Sequence, residues 1–123
     1  MACSSSTRCL ERFFEAGFAF VAENLAQARV LVNNIYGPDA EFKQEMYQAY
    51  QPMFELVGRD IIALGITQGI FRQVDPGSTA GMVMSIYLGI ASQVNEQGTP
   101  WVPASQVADF VLHSLKKERK DNQ

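Results

Sequence analysis

The chain has 123 residues, 47% hydrophobic and 19% charged, which is enough apolar material for one globular domain with a real core. Its net charge of -3 and pI near 5.0 argue against this chain gripping DNA phosphates by itself. Two cysteines are too few for a disulfide scaffold, and no apolar run reaches the ~18 residues of a membrane span.

Cys3 and Cys9 stand six residues apart and do not share a helix face. His113 is the sole histidine, so no metal-ligand set converges with them. The opening MACSSSTR lacks an apolar signal segment, which makes a cytoplasmic location the default expectation. The one basic cluster is Lys116, Lys117, Arg119 and Lys120, and it reads as a solvated helix end that suits the helix dipole.

Residues 1–6 are expected to fray, with Ser5 or Ser6 capping a first helix. Leu10, Phe13, Phe14, Gly17, Phe18 and Val21 then form a stripe at helical spacing. Phe20 lies off that stripe, so it faces a second neighbour or solvent. Asn24 breaks this helix or caps the next, and Asn24-x-x-Gln27 has the spacing of a capping box. The second helix carries Leu25, Ala28, Leu31, Val32, Ile35 and Tyr36, and Gly37-Pro38 stops it. Asn33 and Asn34 form a polar face near its end, or one of them points inward to a ligand.

Asp39 caps a third, long helix running to about Gln68. Its apolar set is Phe42, Met46, Ala49, Tyr50, Met53, Phe54, Val57, Ile61 and Leu64. Pro52 removes one backbone hydrogen bond, so a kink or split is expected around Gln48–Pro52. Gly58 and Gly65 allow close packing.

A fourth helix is expected from Pro76 to about Gly98, with Asp75 as its cap. One stripe is Ala80, Val83, Met84, Tyr87, Leu88 and Ala91. A second is Met82, Ile86, Gly89, Ile90 and Gln93, and Gly81, Ser85, Gly89 and Ser92 recur every three or four positions. A helix with two apolar stripes must be covered twice, centrally in its own bundle or by a second subunit. A rigid connector, Thr99-Pro100-Trp101-Val102-Pro103, leads to a fifth helix from about Pro103 to Lys117, with Val107, Ala108, Val111, Leu112 and Leu115 on one face. Ala104, Phe110 and Ser114 keep its second face from being purely polar. Residues 118–123 form a polar tail. No segment alternates at period two, so the fold is expected to be all-α, a bundle of five or six helices spanning residues 7–117.

Catalytic signatures are missing. There is no GxSxG elbow, P-loop, GxGxxG or HExxH, and His113, the only base of its kind, sits between Leu112 and Ser114 on the last helix and reads as a surface or interface histidine. No enzyme activity, cofactor or metal is expected. Instead the middle helices concentrate soft and aromatic side chains: Tyr47, Tyr50, Met53, Phe54, Met84 and Tyr87. Such residues suit a small-molecule pocket between helices, and they equally suit an ordinary core.

The stretch Gln68–Val94 carries a family pattern: Gly69-x-Phe71, then Asp75-Pro76, then a helix rich in small residues with a central glycine. It resembles the C-terminal half of a TetR-family transcriptional regulator. The resemblance covers about Leu10–Leu115 loosely and this stretch best. It implies a ligand-binding and dimerisation domain whose first helix, Thr7–Val21, links to a helix-turn-helix domain. A small hydrophobic effector would bind among the first four helices, and the aromatic set above is joined by Phe14 and Phe18. The helices Pro76–Gln97 and Pro103–Lys117 would pair into a four-helix homodimer seam. Its residues would be Gly81, Ser85, Ile86, Gly89, Ile90 and Gln93 with Val107, Phe110, Val111 and Ser114. The DNA-reading domain is missing, because the first helix begins almost at Met1. The expectation is therefore a fragment of a longer regulator, or a gene product encoded without that domain, that binds no operator by itself and no membrane. Two other readings stay open: a small helical enzyme or free-standing carrier of a small molecule or lipid that uses the aromatic pocket directly, and a pure protein-interaction bundle.

Overall fold

The computed structural model describes residues 5–35 and 40–117, except the side chains of residues 31–35, 42, 46 and 47. Among them are six α-helices, one π-helical segment and no strand. The helices are α1 (Ser6–Glu23), α2 (Leu25–Ile35), α3 (Ala40–Leu56), α4 (Leu64–Thr67), α5 (Pro76–Ala91) and α6 (Ala104–Leu115). The π segment, Val57–Ala63, joins α3 to α4. The protein is all-α, as its patterning implies. No helix among the described residues is long and apolar enough to cross a membrane.

Ser5 caps α1, its hydroxyl accepting from the Arg8 N–H at 3.2 Å. Ser6 is not frayed: it is buried, and its hydroxyl donates to Gln68 at 3.2 Å. The stripe of α1 turns inward, with Leu10 and Phe14 fully buried and Phe13, Phe18 and Val21 nearly so. Burying such side chains stabilises by roughly 1.5–3 kcal/mol each. Asn24 does not build the capping box. Its backbone and side-chain N–H groups both donate to the Phe20 carbonyl, at 3.0 and 3.1 Å, so it closes α1. Expectations for Tyr36, Gly37-Pro38 and the Asp39 cap fall outside the described residues, as do those for the side chains of Leu31, Val32, Asn33, Asn34, Ile35, Phe42 and Met46.

Pro52 does not split the third helix. α3 runs through it to Leu56. Both Pro52 and Gln48 are exposed, so water can satisfy the carbonyl that the proline leaves free. The break comes later, where the chain widens into π geometry at Val57–Ala63. A π turn takes in one more residue than an α turn. Here two adjacent pairs, Val57–Gly58 and Ile61–Ile62, are all buried. Gly58 admits the start of α5: a Cβ there would lie 3.3 Å from the Pro76 carbonyl oxygen.

Gly69 ends α4 in the left-handed region, with φ +76°. The chain then folds back so that Phe71 covers Gly65, where a side chain would collide with the ring. Arg72 holds the far end of α6. Its backbone N–H donates to the Leu115 carbonyl at 2.8 Å and its Nε to the Ser114 carbonyl at 2.9 Å. These are carbonyls that a helix end leaves without internal partners. An isolated antiparallel bridge pairs Phe71 with Lys116, so α6 stops at Leu115 rather than Lys117.

Asp75 caps α5 as expected, accepting from the Ser78 N–H at 2.8 Å. That bond holds its carboxyl below the usual range. The helix ends at Ala91, earlier than Gly98. The Asn95 side chain captures the N–H groups of Gln97 and Thr99, both at 2.9 Å, and so competes with helical bonding. Gly98, at φ +79°, lets this turn approach α1, since a Cβ there would meet the Ala22 Cα at 2.8 Å. α6 packs along α1, while α5 packs on the π segment, α3 and α1, and α2 packs on α3. Cys9 is buried and disulfide-bonded, so it offers no free thiol. Disulfides persist mainly in oxidising compartments, so this bond gives the cytoplasmic expectation no support.

Candidate functional site

Phe13, Ala16, Gly17 and Phe20 occupy positions i, i+3, i+4 and i+7, which is one face of α1. Tyr50 and Met53, at i and i+3 on α3, face them, and Tyr87 of α5 closes the third side. Together these seven residues line a half-enclosed cavity of about 350 Å³. Among the described residues, none of the lining is charged.

Tyr87 sets the geometry. Its ring lies over Gly17, where an added Cβ would stand 2.5 Å from the ring's Cε1. Its hydroxyl donates to the Gly17 carbonyl at 3.0 Å. The ring stacks on Phe18 at 5.7 Å between centroids and meets Phe13 edge-on, also at 5.7 Å. Phe13 in turn meets Phe14 edge-on at 5.3 Å. Such pairs contribute about 0.5–1.5 kcal/mol each beyond their buried area. The cavity wall beneath Tyr87 is thus a fixed aromatic cluster. Burial pushes the Tyr87 phenol up to about 12, the neighbouring Tyr50 adding to the rise. Burial raises the Tyr50 phenol as well. Both phenols are uncharged at neutral pH.

Of the ligand residues expected from sequence, Tyr50, Met53 and Tyr87 come together at this cavity. Phe14 and Met84 do not: at 0% and 1% exposure they are core. Phe18 is also buried, behind the Tyr87 ring. Phe54 lies elsewhere, in an open depression of about 730 Å³ with Gln51, Glu55, Gly58, Arg59, Ala63, Pro76 and Gly77. Its Arg59 is exposed and pairs with Asp60 at 3.0 Å. The Tyr47 side chain falls outside the described residues. The sequence reading missed Phe13, Ala16, Gly17 and Phe20 as lining. Their signal was the spacing of Phe20, seven residues after Phe13 and off the core stripe.

The expected interface residues divide as well. Ser85 is exposed, and Gly81, Ile86, Gly89 and Ile90 are partly exposed on the outer face of α5. Met82 beside them is 59% exposed. A Cβ at Gly81 or Gly89 would meet nothing within 4 Å. Gln93 is exposed beyond the end of α5. On α6, Phe110 is 71% exposed and Ser114 is exposed, but Val107 and Val111 are core residues. They lie on the inner face because α6 packs against α1.

Other chemistry is sparse. His113 is exposed, its Nδ1 lying 2.8 Å from the Asp109 carbonyl oxygen and 3.3 Å from the Asp109 carboxylate. Among the described residues, no three His, Cys, Asp or Glu side chains gather as a metal set. Comparisons with protein-family models, with curated proteins and with solved structures find no match to this chain.

Proposed function

We propose that the chain is the effector-binding and dimerisation module of a TetR-like transcriptional regulator, and that it holds a small apolar molecule between α1, α3 and α5. The cavity carries this reading. It is apolar, half-enclosed and walled by three helices, which is the common form of a small-molecule site in a helical bundle. A ligand seated there touches α1 along Phe13–Phe20, so occupancy bears directly on the helix nearest the chain start. The family pattern in Gln68–Val94 points the same way.

The homodimer part of the proposal rests on α5. This helix has no charged residue, and its outer face holds Met82, Ile86 and Ile90 beside open space at Gly81 and Gly89. On α6 it draws on Phe110 and Ser114 alone. Operator binding belongs to a helix-turn-helix domain, not to an acidic module of net charge -3. The intact mass of the protein from its own cells tests that point: a species several kDa above 13.7 kDa carries such a domain, and one at 13.7 kDa is a free-standing module.

Ligand binding is tested by thermal shift against a library of hydrophobic and aromatic compounds. A ligand at 100 times its Kd stabilises the folded state by about 2.7 kcal/mol. No shift across the library would leave a protein-interaction bundle, the reading that exposed Phe110 and Trp101 favour. Sedimentation velocity tests the dimer. Wild type is expected to sediment as a dimer at micromolar concentration and Gly89→Glu as a folded monomer; a monomeric wild type contradicts the proposal.

A further inference from the structure

The two phenols of the cavity differ in what they can offer. The Tyr87 O–H already donates to the Gly17 carbonyl, so only its oxygen lone pairs remain to offer. Tyr50 lines the same cavity, and its hydroxyl has no hydrogen-bond partner among the described residues. It therefore has a proton to donate. Every other described lining residue is apolar. Among the described residues, no lysine or arginine lines the cavity to balance an anion, and no carboxylate to balance a cation. Moving an unpaired charge into such a site is far costlier than moving a neutral polar group. The walls are rings and a methionine, which suit a flat apolar partner. A half-enclosed cavity of about 350 Å³ is on the scale of two fused rings with a short side chain.

We infer that the cavity selects an uncharged bicyclic aromatic molecule bearing one hydrogen-bond acceptor, a carbonyl oxygen, which the Tyr50 hydroxyl holds. This rests on the cavity being a ligand site. Burial keeps both phenols protonated well above neutral pH, so the donor persists across the physiological range.

The test is calorimetric titration of wild type and Tyr50→Phe with four matched probes: 2-acetylnaphthalene, 2-ethylnaphthalene, 2-naphthoate and 2-naphthyltrimethylammonium. Tyr50→Phe keeps the ring and removes one oxygen, and the hydrocarbon probe reports whether the cavity survives. Tyr50→Phe is expected to weaken the ketone about 2- to 12-fold, the range of one neutral hydrogen bond, and to leave the hydrocarbon unchanged. Both charged probes are expected to bind at least about tenfold more weakly than the ketone. Hydrocarbon and ketone that bind wild type and Tyr50→Phe alike would overturn the inference while leaving the cavity reading intact. Either charged probe binding as tightly as the ketone would do the same; the ammonium would then be held by the aromatic faces. If none of the four binds wild type, inference and cavity reading fail together.

Discussion

The two faces of α5 are built from the same kind of residue and meet opposite surroundings. Ala80, Val83, Met84, Tyr87 and Ala91 are buried against the π segment, α3 and α1. Met82, Ile86, Gly89 and Ile90 are exposed or only partly covered, though they are no less apolar. The glycines make the contrast sharper. Gly17 and Gly65 sit under aromatic rings, whereas Gly81 and Gly89 look onto open space. Apolar composition therefore marks a surface that needs covering, and does not say whether the same chain covers it.

Substitutions on the two faces should separate accordingly. The largest effect is expected for Met84→Ala, which opens a hole in a fully buried site and should cost about 3 kcal/mol. Met82→Ala, two positions away, should stay within about 0.5 kcal/mol for the isolated chain. Urea denaturation midpoints decide between them. Equal costs would mean that the outer face is covered in solution.

Alkaline pH probes the inner face next. Tyr87 is held in its protonated form up to about 12, while in the unfolded chain a tyrosine titrates near 10. Above pH 10 the unfolded state loses the proton first, so stability is fully present below that point and falls as pH rises toward 12. The loss should approach about 2 kcal/mol. Tyr87→Phe should remove this share of the slope, and an unchanged slope would show that the phenol is not buried as described.

Gly17→Ala comes third, at about 2 kcal/mol. Its methyl group would strike the Tyr87 ring, which Phe18 and the Gly17 carbonyl hold in place. Ligand affinity should fall as well, because the added group sits in the cavity wall. The matched change on the outer face, Gly89→Ala, should stabilise a monomer by up to about 1 kcal/mol through helix propensity alone. If Gly89→Ala destabilises instead, and does so more at high protein concentration, a partner subunit packs there.

Much of the architecture was legible in sequence. The α1 stripe, the Asp75-Pro76 start of α5 and the stop at Gly69 follow from local rules of spacing and capping. The misplaced boundaries share a cause: in each, one contact outweighed propensity. The Asn95 side chain ended α5 early, and the Phe71–Lys116 bridge ended α6 at Leu115. Asn24 does both things expected of it, closing α1 and accepting the first bond of α2 from the Ala28 N–H, and exposed Pro52 leaves α3 unsplit because water reaches Gln48. The cavity was legible only by half. Tyr50, Met53 and Tyr87 stood out by type. Phe14, Phe18 and Met84 have the same chemistry and went to the core, and Gly17 gave no sign that a tyrosine would lie across it.

By itself the sequence determined that this protein is helical, where most helices start, and that α5 carries more apolar surface than one contact can bury. Periodicity and capping are properties of neighbours along the chain, and they survive any arrangement of the helices. Tertiary structure alone decided which stripe of α5 is buried, that the third helix widens at Val57–Ala63 rather than breaking at Pro52, and that the α1 face of Phe13, Gly17 and Phe20 borders a cavity with Tyr50 and Tyr87. Those outcomes depend on which helix packs on which, through contacts between residues far apart in the chain, such as Tyr87 and Gly17 at a separation of 70, and no local pattern encodes them.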